Sequence, residues 1–181
     1  VLKHGGNCAV ININSIGIGA MAFLRKRSAL VLHAHRNGWD ILTRHPGLGL
    51  EFKVWQQFWR LLGVDQFQIN GIRVKYWEPD ESFVASFKSI STPLFKSEDC
   101  SLPVAGSGQW GGQAHDTFDR TGRSIDLMYL CGGGIVSHPG GAGAGVRAVK
   151  QAWEAAVQNI SLEVYAREHP ELAQSIATFS D

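Results

Sequence analysis

The chain has 181 residues, of which 44% are hydrophobic and 18% charged, and its formal net charge at pH 7 is +1. This length is enough for one globular domain with a substantial core. The small net charge excludes a strongly basic protein that binds nucleic acid or anionic lipid, so we expect neither partner. No apolar run reaches the roughly 18 residues of a membrane span.

The three cysteines, Cys8, Cys100 and Cys131, are odd in number and widely spaced. This pattern argues against a disulfide framework and predicts buried thiols in a reducing, cytoplasmic compartment. The chain starts at Val1 rather than Met, and residues 2–6 have the composition of a helix end with its glycine stop. We therefore expect the C-terminal portion of a longer catalytic domain, with the N-terminal part missing.

Apolar runs that end in polar or glycine residues alternate with helical patterns along the whole chain. The runs predict five strands, at residues 8–14, 30–36, 66–70, 102–105 and 125–130. Helices are predicted at residues 19–28, 50–62, 78–87, 112–120, 147–157, 162–168 and 170–179. Such alternation predicts right-handed βαβ units with a parallel sheet, and hence an α/β fold.

Two architectures fit this alternation: an open doubly wound sheet and part of an eight-stranded barrel. A doubly wound sheet usually concentrates its ligand groups at one switch point. Here every strand ends in polar or glycine residues, which favours a barrel that gathers loops from all strands at one face. We predict a partial (β/α)8 TIM barrel, about strands four to eight with their helices, followed by C-terminal helices.

Two glycine-rich segments follow predicted strands. Gly132-Gly133-Gly134 leaves bare backbone N–H groups before a helix, a pattern that favours an anion cradle. Gly106-Ser107-Gly108, one strand earlier, would form the other wall of the same anion-binding site. Phosphate binding is the prediction, and a tight structural turn is the alternative for each segment.

Charged side chains at the end of the second strand and in the loop after the third predict chemistry. His35 can transfer protons near neutral pH, and Arg36 can hold a phosphate or carboxylate with two parallel hydrogen bonds. Lys75 can stabilise developing negative charge from a mobile loop, or it can be a solvated surface lysine. His33 is equally a site residue or a hydrogen-bonded core histidine.

Neutral polar and aromatic residues near the strand ends leave more than one interpretation open. Four amides can orient a ligand or cap turns: Asn12, Asn14, Gln68 and Asn70. Most tryptophans are expected to pack in the core. Trp39 is the exception, since it follows Arg36 into a predicted site loop.

In this order along nearly the whole chain, several motifs resemble the ribulose bisphosphate carboxylase large chain family: His33-Ala34-His35-Arg36, Asp65 with Gly71 and Lys75, Leu102-Pro103-Val104-Ala105, and Gly132-Gly133-Gly134 with His138-Pro139. The resemblance implies a barrel and a sugar-phosphate substrate. It implies magnesium, whose carbamylated lysine and carboxylate ligands belong to earlier strands and not to this sequence. It also implies a homodimer when the protein is complete.

The resemblance also implies a role for each matching residue. His35 would lie near the reacting carbons, Arg36 at one phosphate, and Gly132 and Gly133 at the other phosphate. Lys75 would lie on the loop that closes over the substrate. Either Ser107 or Gly106 matches the serine of the family's seventh strand, depending on a one-residue shift. We place Ser107 and Gly108 with the phosphate-binding groups.

The sequence departs from the carboxylases at several of these positions. Gln66 and Gln68 stand where the third strand of true carboxylases carries histidines, so one anion site should be weakened or altered. Asn37-Gly38-Trp39 and residues 69–73 also differ from the usual loops. The chain thus resembles a RuBisCO-like protein, and residues 12–39 with 78–80 are similar to the branch that handles oxo-isoapionate phosphate.

These observations predict a magnesium-dependent lyase that decarboxylates a phosphorylated keto-sugar acid through an enediolate, with Gln68 retained among the substrate-binding residues. An enolase or isomerase of the methionine-salvage type is the second hypothesis, and ribulose bisphosphate carboxylation is the third. A non-catalytic protein on a borrowed barrel remains a further alternative, because fold does not imply activity.

Overall fold

The computed structural model describes residues 1–180, which divide into two compact units. Unit 1 comprises residues 1–69 and 85–104. Unit 2 comprises residues 70–84 and the residues from 105 onward. Within residues 1–180 the structure contains no helix whose length and hydropathy suit a bilayer-crossing segment.

Five strands form one sheet: β1 (Cys8–Asn12), β2 (Val31–His35), β3 (Gln66–Asn70), β4 (Leu102–Ala105) and β5 (Met128–Tyr129). The strands lie in the sheet in the order of the chain, β1-β2-β3-β4-β5. β1 pairs with β2 in parallel register, Cys8 opposite Val31, and β2 pairs with β3 in the same sense. A doubly wound sheet would reverse its order at a switch point. The sequential order is that of a (β/α)8 barrel, and the predicted fold class is confirmed.

Nine α-helices alternate with these strands or follow them in the described residues: α1 (Ile13–Arg27), α2 (Asp40–Thr43), α3 (Phe52–Leu61), α4 (Asp80–Ser91), α5 (Ala114–Arg120), α6 (Gly132–Val136), α7 (Gly141–Gln158), α8 (Leu162–Tyr165) and α9 (Pro170–Phe179). Short 3-10 turns lie at Leu2–His4, Ser97–Asp99, Gly111–Gln113 and Ala166–Glu168. Gly5, at φ 78°, ends the first of these turns, as its composition predicted.

The core of unit 1 forms around β2, β3 and α3. Leu32, Ala34 and Phe67 are fully buried, and the Phe67 ring packs edge-on against Phe52 at 6.1 Å between centroids. β2 begins in an apolar run, whereas in β3 the apolar residues Phe67 and Ile69 alternate with polar ones, and both patterns predict strands.

A buried cation also stabilises unit 1. Arg60 on α3 donates to the backbone carbonyls of Ser89 and Thr92, each at 2.6 Å, and to the Asp99 carboxylate at 2.6 Å. The backbone N–H of Leu94 and the Arg60 guanidinium hold the pKa of Asp99 well below its usual range. Arg60 thereby anchors the segment that leads from α4 to β4.

The core of unit 2 is built from small residues on α7. Ala152 and Ala156 pack with Phe118 of α5 and Leu172 of α9, and Trp153 stands edge-on to Phe118. Alanine at these positions lets the helices approach closely, and each buried methyl adds to the apolar area removed from water.

Three predicted boundaries near the first helix and the last strand were wrong. β1 ends at Asn12 rather than residue 14, because the Asn12 side chain accepts from the Ser15 N–H at 3.3 Å and starts α1. α1 therefore begins before residue 19, and its backbone is non-helical at Gly17. β5 is only two residues long. The Asp126 N–H donates to Ser124 Oγ at 3.1 Å, and this bond keeps the residues before β5 in a turn.

Glycines misled the prediction at the C-terminal helices. Gly132–Gly134 form the first turn of α6 rather than a loop. α7 starts at Gly141, six residues before the predicted start at Arg147, because buried Ala144 and Gly145 pack there. A Cβ on Gly145 would lie 2.3 Å from the Ile135 carbonyl oxygen, so packing selects a residue of low helix propensity. The region predicted as one helix at residues 112–120 is a 3-10 turn followed by α5.

Candidate functional site

The end of β2 in unit 1 carries a histidine held between two glutamines. His33 is 5% exposed, and its Nδ1 lies 2.9 Å from Gln66 Oε1 while its Nε2 lies 3.0 Å from Gln68 Nε2. An amide nitrogen can only donate and an amide oxygen can only accept. Nε2 of His33 therefore accepts from Gln68, and Nδ1–H donates to Gln66. The Nδ1–H tautomer satisfies both of these hydrogen bonds.

Gln68, predicted to bind substrate, commits one amide N–H to His33. Its side chain is partly exposed, so the carbonyl oxygen and the second N–H remain the groups that a ligand would use. The predicted contact of Gln68 with substrate stays a prediction. Of the two interpretations of His33, the hydrogen-bonded core histidine describes its contacts.

His35 is the last residue of β2, and its ring is partly exposed. Its Nδ1 accepts a hydrogen bond from the backbone N–H of Asn37 at 3.1 Å, so the neutral ring carries its proton on Nε2. Partial burial, followed by the nearby His33 and Arg36, lowers the pKa of His35. At neutral pH the side chain is therefore an Nε2–H hydrogen-bond donor.

Arg36 is buried to 3% exposure directly after the strand. Its guanidinium lies 4.2 Å from the Trp39 ring centroid and 5.1 Å from the Phe52 centroid, so two aromatic faces hold it. Trp39 is itself 7% exposed and packs on Phe52, and its contact with a ligand stays a prediction. Anion binding by Arg36 stays a prediction.

In unit 2, residues 71–79 form the Lys75 loop. The backbone N–H of Lys75 donates to the Ser107 carbonyl at 3.4 Å, and a Cβ on Gly108 would touch Lys75 Cβ at 3.4 Å. Lys75 is exposed, with its Nζ 5.5 Å from the Tyr76 ring centroid. Both Ser107 and Gly108 have left-handed backbone, at φ 68° and 89°. The structure thus brings three predicted site residues together.

Arg73 ties the Lys75 loop to the rest of unit 2. Its guanidinium forms an ion pair with Asp116 and donates to the Gly112 carbonyl at 2.8 Å. Its backbone N–H donates to Asp80 Oδ1 at 2.7 Å, at the start of α4. Arg73 adopts φ 47°, so this loop turns sharply just before Lys75. The composition of the loop gave no sign of this anchor.

The glycine turn, Gly132–Gly134, contains two kinds of glycine. A Cβ on Gly132 or Gly133 would meet nothing within 4 Å, so both residues leave open space for a ligand. A Cβ on Gly134 would lie 2.7 Å from Trp110 Cβ and 2.9 Å from the Gln109 carbonyl oxygen. Gly134 is therefore required for packing, and phosphate binding by the first two glycines stays a prediction.

The residues beside the glycine turn are structural. His138 Nε2 lies 2.9 Å from the Glu171 carbonyl oxygen, and its Nδ1 accepts from the Gly140 N–H at 3.0 Å. Burial raises the pKa of the Cys131 thiol to about 12, so this cysteine is a buried, protonated side chain, as predicted. Cys8 is exposed and Cys100 is partly exposed, so the prediction of burial was wrong for them.

No three His, Cys, Asp or Glu side chains among residues 1–180 gather closely enough to hold a metal ion. The donor groups of this part of the chain do not fit a magnesium site by themselves. No chemical step is therefore assigned to the metal here.

Residues 1–179 match the ribulose bisphosphate carboxylase large chain, catalytic domain. The chain belongs to the ribulose bisphosphate carboxylase large chain family. The resemblance stated from the motifs is confirmed by this match, which covers nearly the whole chain.

Relatives within the family are similar over all or nearly all of the chain. The 3-oxo-isoapionate-4-phosphate decarboxylase of Rhizobium etli is 80% identical over 181 residues, and that of Rhizobium rhizogenes is 77% identical; the chain covers 43% of each. The crystal structure of a rubisco-like protein from Burkholderia fungorum has a TM-score of 0.94 at 43% identity, covering 99% of this chain and 44% of that one. The chain thus spans less than half the length of these relatives.

Several contacts around the predicted residues were not foreseen. In unit 2, Gln109 contacts Ile72 in the Lys75 loop and Tyr129 contacts Gln109, and in unit 1 Asn37 sets the tautomer of His35. Gln109 directly follows Ser107 and Gly108, which were predicted to bind phosphate. This adjacency was the one sequence signal that pointed to Gln109.

Proposed function

We propose that the complete protein is a 3-oxo-isoapionate-4-phosphate decarboxylase, a lyase on a phosphorylated keto-sugar acid. The observation that carries this proposal is the 80% identity to a relative of that name along all 181 residues. That identity includes the region of every predicted site residue. Such similarity favours the same substrate class over the carboxylation of ribulose bisphosphate.

The proposed chemistry follows from the position of the keto group. A 3-oxo acid carries its carbonyl β to the carboxylate, so breaking the bond between C1 and C2 releases carbon dioxide. The electron pair of that bond stays on C2 and delocalises onto the C3 oxygen as an enediolate. One proton from the protein or solvent then completes the product. The reaction balances without an oxidant or reductant.

His35 is proposed as the group that moves this proton. His35 is partly exposed, and its neutral ring carries its proton on Nε2 while the Asn37 N–H occupies Nδ1. A solvent proton is proposed to enter first at Nδ1, in place of the Asn37 hydrogen bond, and the resulting imidazolium then gives its Nε2 proton and returns to a neutral ring. A proton relay through solvent is therefore part of the proposal.

Lys75 is proposed to stabilise the negative charge that develops on the enediolate oxygens, since an ammonium near such an oxygen lowers the barrier. Gly132 and Gly133, with Ser107 and Gly108, are proposed to bind the phosphate. The open space in front of Gly132 and Gly133 supports this role. Arg36 and Gln68 complete the proposed substrate-binding set.

Three further properties of the complete protein belong to the proposal and rest on the family resemblance. The enzyme would depend on magnesium held by groups outside this chain, it would form a homodimer, and it would work in carbohydrate metabolism in the cytoplasm. Removal of magnesium with EDTA should abolish turnover, and magnesium should restore it.

Product analysis tests the proposed function. The complete protein is incubated with 3-oxo-isoapionate 4-phosphate, and released carbon dioxide is measured against substrate consumed. We expect one carbon dioxide per substrate. An isomerised product with all its carbon retained would support the enolase alternative instead. No turnover of the substrate with magnesium present would support the non-catalytic alternative.

A further inference from the structure

We propose that Gln109 is a positioning residue that holds the start of the Lys75 loop in fixed relation to the glycine turn. The proposal rests on the roles proposed above for Lys75 and for Gly132 and Gly133. Gln109 itself touches no substrate in this account. It acts through the backbone of the two segments that it contacts.

The side chain of Gln109 uses both ends of its amide. It is 2% exposed, and its Nε2–H donates to the Ile72 carbonyl at 3.0 Å. The Tyr129 hydroxyl lies 3.3 Å from Gln109 Oε1 and 2.9 Å from the Trp110 carbonyl oxygen. Burial raises the pKa of Tyr129 well above its usual value, so the phenol stays a hydrogen-bond donor. Strand β5 thus orients the amide that holds Ile72.

Gly71 shows how closely the Lys75 loop approaches Gln109. A Cβ at this position would lie 2.4 Å from Gln109 Cδ and 2.5 Å from Gln109 Nε2. Gly71 is absent from the glycines with positive φ, so a Cβ here would push on the Gln109 amide rather than strain the backbone. An alanine would displace the amide from Ile72, because the buried side chain has no open solvent to move into.

The backbone of the same residue supports the glycine turn. The Gln109 carbonyl oxygen would lie 2.9 Å from a Cβ on Gly134, and Trp110 Cβ would lie 2.7 Å from it. One short segment of chain therefore contacts the first residues of the Lys75 loop with its side chain and the last residue of the glycine turn with its main chain. Both contacts lie within unit 2.

A loss of the Gln109 amide would leave the carbonyl of fully buried Ile72 without its donor. Unpaired buried carbonyls are unfavourable, so the start of the loop would shift to find another donor. Lys75 lies three residues further on and would shift with it. Small displacements of a charged group from a reacting atom reduce turnover sharply.

The first test compares Gln109→Met with Gln158→Met in the complete protein, because Gln158 is an exposed residue at the end of α7. Hydrogen exchange is measured for peptides that cover residues 71–79 and 131–136. We expect faster exchange in both peptides for Gln109→Met, unchanged exchange in α7, and a kcat about tenfold to hundredfold lower. Exchange and kcat equal to those of Gln158→Met would overturn the proposal.

The second test uses Gly71→Ala, Gln109→Ala and the double variant, and it also covers the case in which Gln109→Met does not fold. We expect Gly71→Ala to raise exchange in the same two peptides. On the Gln109→Ala background it should add little, because its clash partner is gone. Additive effects of Gly71→Ala and Gln109→Ala on hydrogen exchange in the double variant would overturn the proposal. Hydrogen exchange needs no substrate, so this result stands even if the complete protein releases no carbon dioxide.

Discussion

Gln68 donates an amide hydrogen to Nε2 of His33 across 3.0 Å, and this bond decides which ring nitrogen of His33 carries the proton. With Gln66 accepting at the other nitrogen, both ring nitrogens of His33 are hydrogen-bonded. We predict that nitrogen NMR of the complete protein shows the Nδ1–H tautomer of His33 at neutral pH. A signal from the Nε2–H tautomer would contradict this assignment.

His35 should make the stability of the fold depend on pH. Its pKa in the folded protein lies below the ordinary value of 6.5, because of partial burial first, and His33 and Arg36 next. The unfolded chain therefore takes up this proton at a higher pH than the folded chain. The contribution of His35 to the free energy of unfolding is fully present above about pH 6.5. It is lost as the pH falls through the folded-state pKa of His35.

Urea unfolding of the wild type and of His35→Gln at about pH 7.5 and about pH 5.5 measures this effect. The wild type should lose more of its free energy of unfolding on acidification than the variant does. Equal losses in the two proteins would show that His35 keeps its ordinary pKa in the folded state.

Arg60 should be among the most sensitive positions for stability in unit 1. Arg60→Met removes a buried donor from the Ser89 and Thr92 carbonyls and from Asp99, and we expect a loss of about 3 kcal/mol in the free energy of unfolding. Lys150→Met is the control, since Lys150 forms an exposed pair with Glu154 at 3.6 Å whose loss should cost less than about 0.5 kcal/mol. Similar unfolding midpoints for the two variants would show that Arg60 is not an anchor.

Much of the fold could be predicted from the sequence, and the exceptions have physical causes. β4 was predicted with its observed ends because its apolar run is bounded by turn residues, and β3 because Phe67 and Ile69 alternate with polar residues before Asn70-Gly71. The start of α7 was missed because tight packing at Gly145 overrides helix propensity. The length of β5 was missed because the Asp126 N–H donates to the nearby Ser124 hydroxyl instead of to a neighbouring strand.

The candidate site was predictable in its residue types but not in its contacts. The sequence pointed to His35 and to the glycine turn through their positions after strands. It could not show that Asn37 sets the tautomer of His35, since a backbone donor leaves no mark in the residue type. Nor could it separate Gly134, which packs on Trp110, from Gly133, which faces open space.

The glycine turn offers a matched pair of variants. Gly134→Ala should reduce the free energy of unfolding by about 1–3 kcal/mol, because its Cβ meets backbone atoms of Gln109 and Trp110 that cannot move freely. Gly133→Ala should leave the stability nearly unchanged, but should raise KM by blocking the approach of the phosphate. Thermal unfolding and steady-state kinetics on both variants check this. A Gly133→Ala enzyme with normal KM would remove this turn from the phosphate site.

The central claim is that this chain supplies the charge that stabilises the enediolate, and steady-state kinetics of Lys75→Met in the complete protein test it most directly. Lys26→Met, at the exposed end of α1, is the control. We predict a kcat about a hundredfold to a thousandfold lower for Lys75→Met, with KM changed much less, because the ammonium acts mainly in the transition state. A Lys75→Met enzyme with the kcat of Lys26→Met would contradict the account.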